Sequence, residues 1–281
     1  MAKTLIVAFD YSKESNTAAD FAIRAAKEIG ARVILFHLHN LSMDMINSRV
    51  ATFSVGDALE NYKKQAQRHC DELQEKHQYK VELAWATGNF LQELQQVIET
   101  YGATAVVMGM PGKSLEQELL GNTTTSAISK LQIPVLAVPQ GTEYKGVKQI
   151  LFACDVENGV EAKILERIRD LALSFGAKVT VFHVQKKVSA LKDEEAALKN
   201  EDISQQIDDI FDDGLDGVNY TYKNVSSNAV IRAIHAEVKQ IEADMLIMVP
   251  QKHGFWGSMV HRSKTRMMAS HSEVPLLTIP S

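Results

Sequence analysis

The sequence predicts an α/β protein built as two tandem, doubly wound, open parallel sheets of five strands each. Three observations lead there. The first is an internal repeat. Lys3-Thr-Leu-Ile-Val-Ala-Phe-Asp10 matches Lys148-Gln-Ile-Leu-Phe-Ala-Cys-Asp155 at an offset of 145, and Gly30-Ala-Arg-Val-Ile-Leu-Phe-His-Leu38 matches Gly176-Ala-Lys-Val-Thr-Val-Phe-His-Val184 at 146. Further on, Ala103–Met108 matches Ala243–Met248, and Ile133–Pro139 matches Val274–Pro280. Four blocks in one order at nearly constant spacing mean duplication of one unit. The join is Gln140-Gly-Thr-Glu-Tyr-Lys-Gly146, a polar segment with two glycines, so one domain is expected over residues 1–140 and a second over 147–281. The second observation is a set of continuous apolar runs of strand length, the pattern of strands buried on both faces of a parallel sheet. The third is that amphipathic stretches of helical spacing separate them, which makes βαβ units.

Taken in order, Leu5–Phe9 is the first strand. Thr17–Ile29 is a helix with Ala18, Phe21, Ala22, Ala25 and Ile29 on one face, and Gly30 ends it as a C-cap. Val33–Leu38 is the second strand. Residues 57–77 set Leu59, Tyr62, Ala66, Cys70 and Leu73 on one stripe among Lys, Gln, Arg and Glu, which describes a surface helix with one buried face. Val81–Ala86 alternates as a strand, and Phe90–Tyr101 is helical with Leu91, Leu94, Val97, Ile98 and Tyr101 inward. Ala105–Met108 is a buried strand. A helix over 123–132, stopped before Pro134, and a short strand over Val135–Val138 close the unit. The second unit repeats this with a more acidic helix near 193–213.

The composition bounds what such a protein does. With 45% hydrophobic and 23% charged residues among 281, the chain has ample material for a core and is not disordered. No apolar run approaches the length of a membrane span. Met1-Ala2-Lys3-Thr4-Leu5 runs straight into a strand without a leader, so a cytoplasmic location is expected. Cys70 and Cys154 lack any CxxC or Cys/His spacing and read as structural thiols in a reducing compartment. The net charge is −5, with 13 basic against 15 acidic residues up to position 140 and 17 against 20 beyond it. Neither half hides a basic module, which argues against a sequence-independent grip on nucleic acid.

In doubly wound sheets ligands sit outside the carboxyl ends of the strands, at the switch point. Here that means the positions just after Phe9, Leu38 and Met108. Met108 is followed by Gly109-Met-Pro-Gly112-Lys113-Ser114, and Gly121-Asn122-Thr123-Thr124-Thr125 opens the last helix. Glycines let backbone N–H groups approach an anion, and a helix N-terminus adds oriented donors, so the pair forms a phosphate cradle. The plainer reading is a turn and a helix cap, and spacing supports both. Gly112-Lys113-Ser114 is not the end of a Walker A loop, because Val107 stands where that motif requires glycine. Asp10 is placed equally well to accept from a ribose hydroxyl or to cap the first helix, taken to begin near Ser15. His37 and His183 recur in a buried strand, where a histidine is more often structural than a base. Met43 and Met45 lie in the loop after the second strand, where a ligand or a partner could be covered. No residue spacing suggests a metal site, a nucleophile elbow or a nucleophile with an assignable base. No catalytic or metal-ligating residue is therefore assigned.

Together, the two strand–Asp units, the Gly-Ala-x-Val-x-x-Phe-His blocks, the Gly-rich turn after strand four and the closing x-Pro-Val-Leu-x-Val strand resemble a tandem universal stress protein. The resemblance covers essentially the whole chain. It implies an adenine nucleotide alpha hydrolase-like fold in strand order 3-2-1-4-5, with dimer-like pairing through the last strand. Duplication would supply that pairing as an intramolecular pseudo-dimer, with a homodimer as a further option. In the ATP-binding subgroup it also implies a nucleotide held by Gly-x2-Gly-x9-Gly-Ser/Thr. By position, the adenine and ribose contacts fall on Ala8, Asp10, Leu38 and Met108, and the phosphate contacts on Gly109, Gly112, Gly121, Asn122 and Thr123, with Mg²⁺ as a companion of ATP. Two departures stand out. Eight residues separate Gly112 from Gly121 rather than nine, and Asn122 replaces the hydroxyl residue, a role left to Thr123. In the second unit the aligned positions read Val249, Lys252 and Arg262-Ser263, so all three glycines are gone. Pro250 removes a donor there, Phe255-Trp256 adds bulk, and Arg262, Lys264 and Arg266 form a basic cluster. The expectation is a stress-response protein that binds ATP or a related adenine nucleotide in its first domain to regulate an unknown protein partner. The competing class is an interaction module of the same family without a nucleotide. A hydrolase lacks an identifiable general base, which leaves at most a weak ATPase.

Overall fold

The computed structural model describes residues 3–39, 55–111, 122–156, 159–185, 210–250 and 273–280, without the side chains of positions 55, 122 and 125. The chain forms two compact units, one mainly Met1–Lys145 and the other mainly Gly146–Met268 with Val274–Ser281. In the first, β1 (Thr4–Phe9), α1 (Lys13–Ile29), β2 (Arg32–His39), α2 (Val55–His77), β3 (Val81–Thr87), α3 (Phe90–Tyr101), β4 (Ala105–Met110), α4 (Asn122–Lys130) and β5 (Val135–Pro139) follow one another. Its strands are parallel in the order β3-β2-β1-β4-β5, the expected 3-2-1-4-5. The second unit contains β6 (Gln149–Ala153), α5 (Ala162–Phe175), β7 (Lys178–Gln185), β8 (Tyr220–Ser226), α6 (Val230–Gln240), β9 (Met245–Met248) and β10 (Leu276–Thr278). Its parallel order β10-β9-β6-β7-β8 is the same arrangement. The acidic helix expected near 193–213 lies outside the described residues as far as position 209.

Strand alternation decides which side chains meet which helices. Ile6 and Ala8 of β1, Ile34 and Phe36 of β2, and Val106 and Met108 of β4 point to one face, where Leu94 and Ile98 of α3 and Ala127 of α4 close the core. Residues of opposite parity, such as Val7, Phe9, Leu35 and His37, are buried on the other face under α1 and α2.

Two elements differ from the sequence expectation, and both differences bear on the site. Helix α1 starts at Lys13 rather than Thr17, because Ser12 is its N-cap and accepts from the Ser15 N–H at 3.1 Å. Its first turn is polar, so apolar spacing does not reveal it. The predicted end is right: Gly30 has φ 68° and donates its N–H to the Ala26 carbonyl. Strand β4 continues past Met108, pairing Gly109 with Val138 and Met110 with Pro139. Gly109 therefore sits inside a strand and not in the turn that follows it.

Candidate functional site

The carboxyl ends of β1, β2 and β4 in the first unit enclose a cleft of about 410 Å³. Its inner wall is apolar. Ala8 and Met108 are buried there, and Leu38 and Phe90 are half-buried. Phe90 is the first residue of α3, placed by its N-cap Asn89, whose side chain accepts from the Gln92 N–H at 3.3 Å. Its ring lies 5.9 Å from that of Phe36, which ties the wall to the core.

The polar rim is built by the β1–α1 turn. The Asp10 carboxylate accepts from the Ser12 N–H at 3.1 Å, and the Asp10 N–H donates to Ser15 Oγ at 3.4 Å. The Ser15 hydroxyl in turn donates to the Ser12 carbonyl at 3.1 Å. Ser12 therefore caps the helix, while Asp10 stabilises the turn that carries Ser12. Partial burial pushes the Asp10 carboxyl upward, but its hydrogen bonds with Ser12 and Ser15 outweigh this and hold it below the usual carboxylate range. It is an anion at neutral pH. Between them, Tyr11 occupies the left-handed region at φ 66°, a costly conformation for a bulky residue. Its ring packs edge-on against Phe9 at 5.0 Å and His37 at 4.8 Å, contacts that hold it there.

Gly109 lines the cleft, but the space it leaves open is taken by protein. A Cβ at this position would lie 2.7 Å from the Ser15 nitrogen and closer still to the Glu14 carbonyl carbon and oxygen. The first turn of α1 crosses β4 so tightly that only glycine fits. On the outer side, Thr124 of α4 donates its hydroxyl to the Gly109 carbonyl at 3.4 Å, and exposed Thr123 and Pro111 line the mouth. Among the described lining residues, Asp10 and Glu14 are the charged ones.

Of the residues singled out from the sequence, Ala8, Asp10, Leu38, Met108, Gly109 and Thr123 meet in this cleft. The backbone of Asn122 opens α4. Gly112, Gly121, Met43, Met45 and Lys113 lie outside the described residues, as do Lys252, Phe255, Trp256, Arg262, Ser263, Lys264 and Arg266. Thr124, one of the hydroxyl residues expected to open the last helix as a donor or cap, lines the cleft too, and so do Phe9, Ser12, Glu14, Ser15, Phe90 and Pro111, which the sequence does not mark as site residues. Phe90 was legible as the residue opening a helix just after the strand beside β2. Ser12 and Glu14 became site residues only with the earlier start of α1.

His37 behaves as a structural residue. A carbonyl oxygen only accepts, so its 2.8 Å contact with the Phe9 carbonyl places the proton on Nδ1. It faces away from the cleft, beneath α2, where His69 stacks on Phe9 at 4.7 Å. His183 makes the matching bond to the Cys154 carbonyl at 3.2 Å. The cysteines are free and buried; burial pushes the Cys70 thiol up to about 11 and raises that of Cys154 as well. Neither is a reactive thiolate at neutral pH. Among the described residues, no three His, Cys, Asp or Glu side chains cluster to hold a metal, and no helix is long and apolar enough to cross a membrane.

The sequence profile of the Universal stress protein family matches residues 1–139 and again 146–280. No curated protein sequence matches the chain significantly. Among solved structures, a universal stress protein from Archaeoglobus fulgidus DSM 4304 superposes with a TM-score of 0.72 at 17% identity, over 99% of this chain and 98% of that one. A candidate universal stress protein from Pseudomonas aeruginosa UCBPP-PA14 superposes with a TM-score of 0.63 at 14% identity, over 99% and 93%. A functionally unknown protein from Pseudomonas aeruginosa PAO1 follows at 0.62 and 12%, over 99% and 92%. At these identities the likeness concerns the fold.

Proposed function

From the premise that the chain belongs to the universal stress protein family through both of its halves, we propose that it acts in stress response by binding ATP or a related adenine nucleotide in its first unit. Occupancy of that site then regulates what the chain presents to a protein partner. The observation that carries this reading is the convergence of Ala8, Asp10, Leu38, Met108 and Thr123 on one cleft at the switch point of the sheet. An apolar slot between Leu38, Phe90 and Met108 suits a planar base. The ionised Asp10 beside it is an acceptor for ribose hydroxyls. Thr123, in the first turn of α4, offers a hydroxyl and a helix N-terminus to a phosphate. Mg²⁺, if it accompanies the nucleotide, supplies charge neutralisation at the phosphates. No residue of the cleft is assigned to hydrolysis, and binding itself is the proposed event. A partner then responds only to the extent that it prefers the occupied form.

Calorimetric titration of the full chain with ATP and Mg²⁺ is expected to give one site per chain. Thr123→Trp fills the mouth from an exposed position without touching the core, and it is expected to abolish that binding. Two equal sites, or undiminished binding by the variant, would overturn the proposal. Mass spectrometry of small molecules released by heating the purified protein separates the two family readings: an adenine nucleotide supports this one, and its consistent absence together with a silent titration supports the interaction module.

A further inference from the structure

The turn from β1 into α1 works on two sides of the sheet. On one side Asp10 lines the cleft. On the other, the ring of the next residue, Tyr11, packs against Phe9 and His37, which are buried on the face covered by α1 and α2. His69 of α2 completes that packing. Its imidazole stacks on Phe9 at 4.7 Å with 18° between the planes, and meets Tyr11 edge-on at 5.6 Å. Its Nδ1 lies 3.4 Å from the Glu72 carboxylate, three residues along the same helix.

Tyr11 is held at φ 66°, a conformation that disfavours a bulky residue. The polar bonds of the turn run through the backbone on either side of it. Asn16 Nδ2 donates to the Tyr11 carbonyl at 3.3 Å and to the Ser12 carbonyl at 2.8 Å, and the Asp10 carboxylate accepts from the Ser12 N–H across it. A glycine would serve every one of these bonds and would take this φ without steric cost. What a glycine would lack is the ring, and the ring reaches α2.

Resting on the adenine-nucleotide reading above, we propose that Tyr11 is a positioning residue that couples the cleft to α2. Its contact with His69 holds the turn that sets Asp10 beside the cleft, and a ligand in the cleft shifts the surroundings of His69 in return, since coupling between two sites is reciprocal. Helix α2, whose solvent side carries exposed Lys63, Lys64 and Arg68, is then the element through which occupancy reaches the protein surface.

The test uses the full chain, ATP with Mg²⁺, and the His69 imidazole signal in a carbon–proton correlation spectrum, identified by its loss in His69→Gln. That signal is expected to move on saturation. Tyr11→Gly, which relieves the backbone, is expected to bind about fivefold or more weakly and to reduce the movement, whereas Tyr11→Phe keeps the ring and with it both wild-type values. His69→Gln should weaken binding as well, and the double variant Tyr11→Gly, His69→Gln should bind no more weakly than Tyr11→Gly alone, because the two changes remove one shared contact. Melting temperatures establish that each variant is folded; should Tyr11→Gly fail to fold, the affinity of His69→Gln decides. A His69 signal unmoved at saturation, wild-type affinity in Tyr11→Gly or in His69→Gln, or additive losses in the double variant would overturn the coupling and leave the nucleotide reading standing. If the wild-type chain does not bind ATP, both fail together.

Discussion

Gly109 carries a requirement that its position in the sequence misattributes. A glycine at the end of a strand in a doubly wound sheet signals close approach, and the approach is real, but what comes near is the backbone of Glu14 and Ser15. Composition and spacing reveal that a Cβ is excluded; they do not reveal by what. The consequence is a stability prediction: Gly109→Ala forces α1 away from β4, an overpacking cost of about 1–3 kcal/mol, and urea unfolding should read it with or without nucleotide. A ligand-only role for Gly109 predicts a variant of wild-type stability. Asp10 shows the complementary case. Its place at the end of the first strand was legible, as were its two candidate roles, yet the choice depended on Ser12. Once Ser12 caps α1, the carboxylate accepts from the Ser12 N–H instead, and Asp10 lines the cleft as an anion.

Among the elements, α1 and α5 show most clearly what duplication kept and what it lost. Both end at a left-handed glycine, Gly30 and Gly176, but α1 has 17 residues and α5 has 14. Counted back from those glycines, Lys13-Glu14-Ser15 corresponds to Gly159-Val160-Glu161, none of which is helical. The shortfall lies entirely at the N-terminus. Ser12 provides a side-chain cap, whereas Glu161 makes no capping bond. Apolar spacing locates the body of a helix and a glycine locates its end, but a polar first turn has neither signal, so the apolar stripe alone, from Thr17, begins later than the helix does at Lys13. Ser12→Ala is expected to cost about 1 kcal/mol and, by loosening the turn that holds Asp10, to weaken nucleotide binding as well; a loss of stability without a loss of affinity would separate the cap from the site.

Helix α2 lends itself to a pH prediction. His37 lies beneath it, and burial pushes its imidazole down despite the bond to the Phe9 carbonyl and the charge of Asp10, with His39 lowering it further. Its folded value is therefore below the ordinary one near 6.5. At pH 7 and above it is neutral in both states, and its contribution is complete. As pH falls below about 6.5, the unfolded chain gains a proton that the folded chain refuses, so stability declines until the lower folded value is passed. Melting temperature should drop on going from about pH 7.5 to 5.5, and His37→Asn should flatten that slope. An unchanged slope would place the sensitivity elsewhere.

Considered as a whole, the molecule is two copies of one fold, and the loss of glycines in the second copy now has a structural partner. Val249 stands where Gly109 does in the first copy, and the helical turn that forbids a side chain at Gly109 has no helical counterpart beside α5. The fold was legible because duplication states it twice and parallel strands buried on both faces are unmistakably apolar. The asymmetry was legible in the glycines, but its physical form, a shortened helix, was not. It leads to a prediction about where a ligand acts. A ligand that binds only the folded first unit stabilises it by about 2.7 kcal/mol at a hundred times its dissociation constant. Hydrogen exchange measured with and without saturating ATP and Mg²⁺ should therefore slow in the segments that line the cleft, around Ala8–Asn16, Ala105–Pro111 and the start of α4. The corresponding segments of the second unit, around Phe152–Val156 and Met245–Pro250, should exchange at their ligand-free rates. Equal protection in both units would mean that the second copy has kept a site despite its missing glycines, and the shortened α5 would then need another explanation.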